Sequence, residues 1–334
     1  MGYDLINFGD VVGPEWRFVE PRCADLGASW HFFRTQQVSL LERLVKRPNI
    51  GRYHQASNAV RCAREQRAPF LISHLPRATL PMEFFRSLYK VQAPHLAFAF
   101  NFTDLPTGFQ RRVFARGFRH VDRFTVFSRY EQKLYAEWFD LDPGRIDFIH
   151  WAMERPNVPP TRETPARPFV FAGGGEGRDY GTLIEAIHRL PSIPFVIQVR
   201  PSNLQGLSLP PNVTAFTDHN PPRFWRFVAD SQFMVLPLRD DKTPCGHITV
   251  VGALQLGRAI VATRSDGLMD YTGTDHSLLC EYGDADALAA RIEELWTNDA
   301  LRSQLGSNAQ RFADDHCAER RWCEYLKQAI GGLR

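Results

Sequence analysis

The chain has 334 residues, 44% hydrophobic and 23% charged, with a formal net charge of +3. That length exceeds what one hydrophobic core usually organises, so two domains of about 150 residues each are expected. The composition excludes a disordered chain, a low-complexity tract and a solenoid repeat, and no apolar run approaches the about 20 residues of a membrane-crossing helix.

The start, MGYDLINFGD, lacks a basic stretch followed by an apolar one, as an export signal would show. Cys23, Cys62, Cys245, Cys280, Cys317 and Cys323 are scattered, without CxxC pairs or histidines at metal-ligand spacing. Free thiols in a reducing compartment are expected, which places the protein in the cytosol. Residues 1–150 carry 21 Lys+Arg against 15 Asp+Glu, a balance of +6, and residues 151–334 carry 19 against 22, a balance of −3. A basic first half can attract an anionic membrane surface, an acidic glycan or a phospholipid-linked acceptor. No nucleic-acid-binding motif accompanies the charge, so nucleic acid is not an expected partner.

In chain order, YDLINF, SWHFF, APFLIS, HLAFAF, RFTVFS and RIDFIH read as strands separated by segments of helix length. Ser128 is placed to cap the helix SRYEQKLYAEWF. The basic stretch QRRVFARGFRHVDR (110–123) reads as a solvated helix face, with interfacial membrane attachment as the alternative. The Pro-rich segment 153–168 has no periodicity and reads as a linker.

Beyond it the alternation restarts: strand FVFAG, helix DYGTLIEAIHRL, strands FVIQVR and NVTAFT, helix PPRFWRFVA, strand FMVLPL, helix HITVVGALQLG, strand AIVAT and two further helices. Repeated strand–helix–strand units imply parallel sheets covered by helices, with ligands beyond the carboxyl ends of the strands. The last segment, AERRWCEYLKQAI, places Trp322, Tyr325, Leu326, Ala329 and Ile330 on one helical face.

Two segments carry chemistry. In FAGGGEGRDYGTLIEAI (171–187) a buried strand runs into Gly173, Gly174 and Gly175, and Arg178 stands at the mouth of the next helix. Glycines let a ligand approach the backbone and the arginine adds a permanent positive charge, which suits a diphosphate. In PLRDDKTPCGHITVVGALQLGRAIVAT (237–263) a helix starts near Gly246, His247, Ile248 and Thr249, and its unpaired amides and dipole form a phosphate cradle. Either segment alone is also an ordinary strand–turn–helix unit.

Together they resemble the C-terminal domain of the retaining GT-B glycosyltransferases of group 1, or family 4. In that family a basic residue stands five positions before the second apolar residue of a helix reading like LLIEA, as Arg178 does before Leu183. GALQLGRAIVAT (252–263) is similar to the family's EAMAxGxPVVAT, and the similarity runs over residues 169–312. The resemblance implies an α/β fold of two doubly wound Rossmann-like domains facing a cleft. Residues 1–155 would be the acceptor side, 156–316 the nucleotide-sugar donor side, and 317–334 a terminal helix crossing back to the first domain.

It further implies a metal-independent hexosyl transfer, with retention, from a nucleotide sugar to a glycan, lipid-linked or small-molecule acceptor, in polysaccharide biosynthesis. The nucleotide sugar is a co-substrate, no cofactor is expected, and location at the inner face of the membrane is compatible. The carried-over catalytic residues are Arg178 and Asn101, where the family commonly keeps a histidine; His74, at the end of the strand APFLIS, is a further cleft candidate by its place alone, also readable as a histidine satisfied at a strand end. Donor contacts fall on Gly174, Gly175, Arg200, Thr217, Asp218, His219, Gly246, His247, Ile248 and Thr249. Asp104 and Ser128 are secondary candidates for the acceptor, each also readable as a turn or cap residue.

The chain departs from the family at three places. The two glutamates usual around the second helix fall on Pro244 and Gly252, and an arginine usual at the preceding strand end falls on Gly173. Asp240, Asp241, Lys242, Arg200 and Thr249 are the nearest groups able to substitute. A non-catalytic GT-B subunit that binds a nucleotide sugar or a partner enzyme is therefore one alternative, and a nucleotide-sugar epimerase another.

Overall fold

The computed structural model describes residues 2–10, 23–35, 50–102, 104–160, 168–240, 242 and 244–333. Contacts divide the chain into two units, Met1–Ile149 with Glu319–Arg334, and His150–Ala318.

The first unit holds strands β1 (Asp4–Gly9), β2 (Ser29–Arg34), β3 (Pro69–His74), β4 (His95–Phe98), β5 (Arg123–Val126) and β6 (Ile146–Phe148). All pair in parallel in the order β2-β1-β3-β4-β5-β6. Parallel neighbours need crossovers, supplied here by helices α1 (Ile50–Glu65), α2 (Pro76–Leu88), α3 (Gly108–Phe118) and α4 (Arg129–Phe139). A central strand covered on both faces is mostly apolar, and Leu5, Ile6 and Phe8 of β1 are each 0% exposed.

After β4 the chain turns through Ala99 in the left-handed region (φ 54°), a conformation costing a non-glycine residue about 1–2 kcal/mol. Two bonds hold the turn, from Ala99 N to Thr125 Oγ1 (3.0 Å) and from Phe100 N to Thr125 O (2.8 Å). It sends the Phe100 ring into an aromatic cluster, 4.8 Å from Phe118, 4.8 Å from Phe124 and 5.5 Å from Tyr135. The terminal helix α10 (Arg320–Gly332) belongs to the same unit. Its Trp322 stacks on Phe127 (5.8 Å, 23°) and meets Phe98 edge-on, while the Tyr325 hydroxyl donates to Asp147 Oδ2 (2.8 Å).

The second unit holds β7 (Val170–Gly173), β8 (Phe195–Gln198), β9 (Val213–Phe216), β10 (Met234–Leu236), β11 (Ile260–Thr263) and β12 (Ser277–Cys280), ordered β12-β11-β10-β7-β8-β9. Its helices are α5 (Tyr180–His188), α6 (Pro221–Asp230), α7 (His247–Gln255), α8 (Ala285–Thr297) and α9 (Asp299–His316). Along β7 and the residue before it, Val170 and Ala172 enter one core and Phe169 and Phe171 the other, so the strand is buried on both faces.

Both units are therefore doubly wound parallel sheets, as the strand–helix alternation predicts. The edge strand β12, SLLC, escaped that reading because its four residues are too short and too evenly buried to show a period. Residues 153–160 carry no helix or strand, and 161–167 of the Pro-rich segment lie outside the described residues. Among the described residues no helix is long and apolar enough to cross a membrane.

Phe100 anchors the loop after β4 from inside the aromatic cluster. Phe100→Ala is expected to lower unfolding stability by about 3–5 kcal/mol, as for other buried phenyl-to-methyl truncations, read from urea denaturation of the two proteins. A loss under about 1 kcal/mol would show that the cluster closes over the gap.

Candidate functional site

Past the carboxyl end of β7 the chain must turn sharply, and Gly174 (φ +99°) and Gly177 (φ +63°) take left-handed conformations to do so. Side chains then bind four successive carbonyls of this loop. Arg178 Nε donates to Gly173 O (3.4 Å), Tyr180 Oη to Gly174 O (2.7 Å), Asn203 Nδ2 to Gly175 O (3.0 Å) and Arg178 Nη1 to Glu176 O (2.8 Å). Peptide geometry sets each N–H opposite the preceding carbonyl. The amides of Gly175, Glu176 and Gly177 donate no hydrogen bond among the described residues, an arrangement of the kind that can receive an anion.

Arg178 is 9% exposed, and its Nη2 donates to Thr249 Oγ1 (3.3 Å) at the start of α7. Among the described residues no carboxylate lies within ion-pair distance of it. A buried cation without a counter-charge is costly unless an anion completes its surroundings. Two glycines make room for the guanidinium. A Cβ at Gly174 would sit 3.0 Å from Nη2, and one at Gly246 3.4 Å from Nη1 and Nη2.

Gly246 is the left-handed N-cap of α7 (φ 98°) and offers no side chain to its first amides. The first helical bond runs from Val250 N to Gly246 O (2.9 Å), so the amides of His247, Ile248 and Thr249 precede it. Ile248 is 51% exposed. The imidazole of His247 turns inward instead, where Nε2 bonds Gly267 O (3.1 Å).

The remaining second-unit candidates lie around this core. Arg200 is exposed, pairs with Glu176 (3.0 Å), and lies over Gly175, where a Cβ would be 2.8 Å from its Cδ. Thr217, Asp218 and His219 form the exposed turn after β9. Gln198 Nε2 pins that turn through Asn220 O (3.0 Å) and Asp218 O (3.4 Å). Arg223 bonds the Asp218 carboxylate and holds it below the usual carboxylate range. Lys242 N bonds Asp240 Oδ1 (3.0 Å), while Asp241 lies outside the described residues.

At two of the three positions of departure, Gly173 and Gly252, the structure leaves no room for a longer side chain unless a ring moves. A Cβ at Gly252 would meet Trp225 Cη2 and Cζ3 at 2.3 Å, and one at Gly173 would meet Phe224 Cε2 at 2.3 Å. The two rings pack edge to face at 5.0 Å. Pro244 sits against Gly267, whose Cβ would lie 2.6 Å from Pro244 Cα. Neither aromatic ring was singled out by sequence reasoning, because the contact joins α6 to α7 and β7 across the sequence.

In the first unit, His74 is 1% exposed, with its ring edge-on to Phe98 (5.7 Å) and Nε2 3.4 Å from Asn7 Oδ1. It packs in the interior and is not presented to a ligand. Asn101 is half-buried and donates from Nδ2 to Glu131 Oε1 (2.6 Å). Ser128 is fully buried and caps α4, with Oγ accepting from Glu131 N (3.1 Å). Asp104 stands exposed in the loop between β4 and α3.

Ser73, His95 and Glu83 form a relay, with Ser73 Oγ 2.8 Å from His95 Nε2 and His95 Nδ1 bonded to Glu83 Oε1. The order matches a hydrolytic triad, yet Ser73 and His95 are 0% exposed and Ser73 also bonds Thr79 Oγ1 (2.9 Å). The relay ties α2 to β3 and β4. No substrate reaches it.

Burial lowers His74 to about 3 and His247 to about 4, from an ordinary 6.5. Below pH 6.5 the unfolded chain protonates both while the folded chain does not, so their contribution to stability is full above 6.5 and is lost as pH falls toward those values. His247→Gln should reduce the slope of stability against pH by about one proton between about pH 6 and 5, read from urea melts. An unchanged slope would show that His247 titrates normally in the fold.

The model for glycosyl transferases group 1 matches residues 165–298, the segment that contains the Gly-rich turn, Arg178 and α7. The folds of three solved proteins are similar over nearly the whole chain. A glycosyltransferase from Rickettsia africae ESF-5 is 10% identical with a TM-score of 0.75, covering 99% of this chain and 98% of the other. Sucrose-phosphate synthase from Thermosynechococcus elongatus is 13% identical with a TM-score of 0.76, covering 99% of each. Anabaena HepE, solved with UDP, is 14% identical with a TM-score of 0.74, covering 100% of each, and its UDP-glucose complex scores 0.69 over 98% of each at 14% identity. A search among curated proteins by sequence finds no match. Residues 165–298 thus match the glycosyl transferases group 1 model, and the two units share the GT-B fold of these solved proteins.

Proposed function

We propose that this chain, carrying a group 1 domain within a GT-B fold, is a glycosyltransferase that moves a hexosyl group from a nucleotide sugar to an acceptor hydroxyl. The observation that carries this reading is Arg178: a buried guanidinium without a carboxylate partner among the described residues, beside uncapped helix amides and a turn with unbonded N–H groups. That arrangement fits the diphosphate of a nucleotide sugar. Thr217, Asp218 and His219 are the candidates to meet the base, and the first unit is the candidate acceptor side.

In the transfer, the bond from the anomeric carbon to the diphosphate breaks and its electron pair leaves with the diphosphate. The acceptor oxygen bonds to the same carbon, and its proton passes to the departing phosphate oxygen. Charge grows on that oxygen, so fixed donors stabilise the transition state more than the ground state. Arg178 and the start of α7 supply such donors without a metal. Attack from the face that the diphosphate leaves would retain the anomeric configuration.

HepE, solved with UDP and with UDP-glucose, makes UDP-glucose the first donor to test. A glycan, lipid-linked or small-molecule acceptor in polysaccharide biosynthesis fits the reading. Phe109 (80% exposed) and Val113 (39%) stand on α3 beside exposed Arg111, Arg112 and Arg116, a surface suited to peripheral contact with an anionic membrane on the cytoplasmic side. A second reading, a nucleotide-sugar-binding subunit without transfer, is favoured by one observation: Trp225 fills the place above Gly252 where the resemblance expects a carboxylate.

Arg178→Ala should lower UDP-glucose turnover by about 100-fold or more, the range for removing one oxyanion-stabilising donor, with the circular dichroism of the fold retained. UDP affinity, measured by calorimetry, should fall as well. A variant that consumes UDP-glucose at the parental rate would remove Arg178 from the chemistry. A parent protein that binds UDP but turns over no donor would favour the binding subunit.

A further inference from the structure

The Glu131 carboxylate at the start of α4 is 0% exposed, and four donors converge on it. Oε1 accepts from Asn101 Nδ2 (2.6 Å) and Tyr135 Oη (3.2 Å), and Oε2 from Phe127 N (3.1 Å) and Ser128 Oγ (3.0 Å). No cation pairs with it among the described residues. The titratable group facing it there is Tyr135, which burial keeps protonated.

An ionised carboxylate can only accept, so the group that Asn101 turns toward it must be the NH₂. The amide is planar, and its Oδ1 therefore points away from Glu131. That oxygen takes no hydrogen bond among the described residues and is not among the buried polar atoms lacking one. The backbone on either side is pinned, from Phe100 N to Thr125 O (2.8 Å) and from Phe102 N to Tyr135 Oη (3.0 Å). Asn101 lies just past the carboxyl end of β4, where ligands of doubly wound sheets sit.

We propose that Glu131 is a positioning residue that locks the Asn101 amide with Oδ1 outward, so that the acceptor site takes a neutral sugar hydroxyl there and turns away a carboxylate or phosphate. An outward carbonyl accepts from an O–H and repels an anionic oxygen, whereas an amide able to turn over would serve either. The assignment rests on the reading of the first unit as the acceptor side. Burial raises Glu131 to about 7 against the pull of its hydrogen bonds, so the lock weakens as the pH falls below that value. A protonated Glu131 needs an acceptor, which Asn101 supplies by turning its Oδ1 inward.

The test follows the ¹⁵N side-chain amide of Asn101 by NMR in the full chain, assigned through Asn101→Asp. The parent should show one slowly exchanging NH₂ pair that titrates with a midpoint near pH 7. Octyl β-glucoside added at about pH 8 should shift it at concentrations about tenfold lower than octyl β-glucuronide does. Glu131→Gln should abolish both the titration and the preference. Gln132→Ala removes a bond from α4 to Ile146 O but leaves the four donors to Glu131 and Asn101 in place, so it should lower the melting temperature and keep the preference.

A pair that ignores Glu131→Gln, equal response to the two glycosides, or loss of preference in Gln132→Ala to the same degree would overturn the proposal. Failure of both glycosides to shift the pair would overturn its acceptor assignment. UDP calorimetry on the same sample separates these outcomes from failure of the transferase reading, since it reports on the second unit alone.

Discussion

The placement of one guanidinium in a nearly dry setting organises the second unit. A charge taken out of water needs donors and acceptors arranged around it, and Arg178 finds its acceptors in two loop carbonyls and the Thr249 hydroxyl. For those carbonyls to face it, the turn after β7 must be made of residues that adopt left-handed backbone, which accounts for Gly174 and Gly177. The N-cap of α7, against which the guanidinium packs, takes a left-handed backbone (φ 98°), which accounts for Gly246. Tyr180 and Asn203 bind the other two carbonyls, so the whole turn is set by contacts outside it. The result is a buried positive charge held between the Gly-rich turn and the start of α7.

The first unit solves a similar problem with aromatic packing. The loop after β4 begins on a left-handed alanine, Ala99, held by Thr125 and by a phenyl ring sunk among Phe118, Phe124 and Tyr135. Tyr135 then serves twice, filling that cluster with its ring while its hydroxyl accepts from Phe102 N and donates to Glu131. Packing and polar positioning are thus coupled in one side chain. The buried Ser73–His95–Glu83 relay shows the contrasting case, a fully satisfied network that ties elements together with no face open to a ligand.

Around α7 the chain exchanges longer polar side chains for aromatic surface. Gly173 and Gly252 are the floor on which Phe224 and Trp225 rest, and neither position has space for a Cβ unless a ring moves. The exchange is concerted, since the two rings also pack against each other and Phe224 against Phe171. Whatever meets this side of the second unit meets apolar, polarisable surface where the family resemblance suggests carboxylates, with Asp218 already committed to Arg223.

Local sequence was enough for the architecture. Short apolar runs such as DLINFG and FVFAG, alternating with amphipathic stretches, point to buried parallel strands with covering helices, and SLLC escaped because its four residues show no period of their own. Arg178, Gly246 and Thr249 were also legible, since glycine runs, a nearby cation and a helix start are neighbours along the chain. Only the tertiary structure decided which of these groups are buried, paired or presented. His74 reads in sequence as a polar residue at a strand end, and folding encloses it. Glu131 reads as part of a helix cap, yet it becomes the partner of Asn101, 30 residues away. Trp225 reads as one face of α6, yet it covers a glycine of α7. Secondary structure follows from periodicities within a dozen residues, whereas desolvation and hydrogen-bond orientation depend on atoms that folding brings together from distant elements.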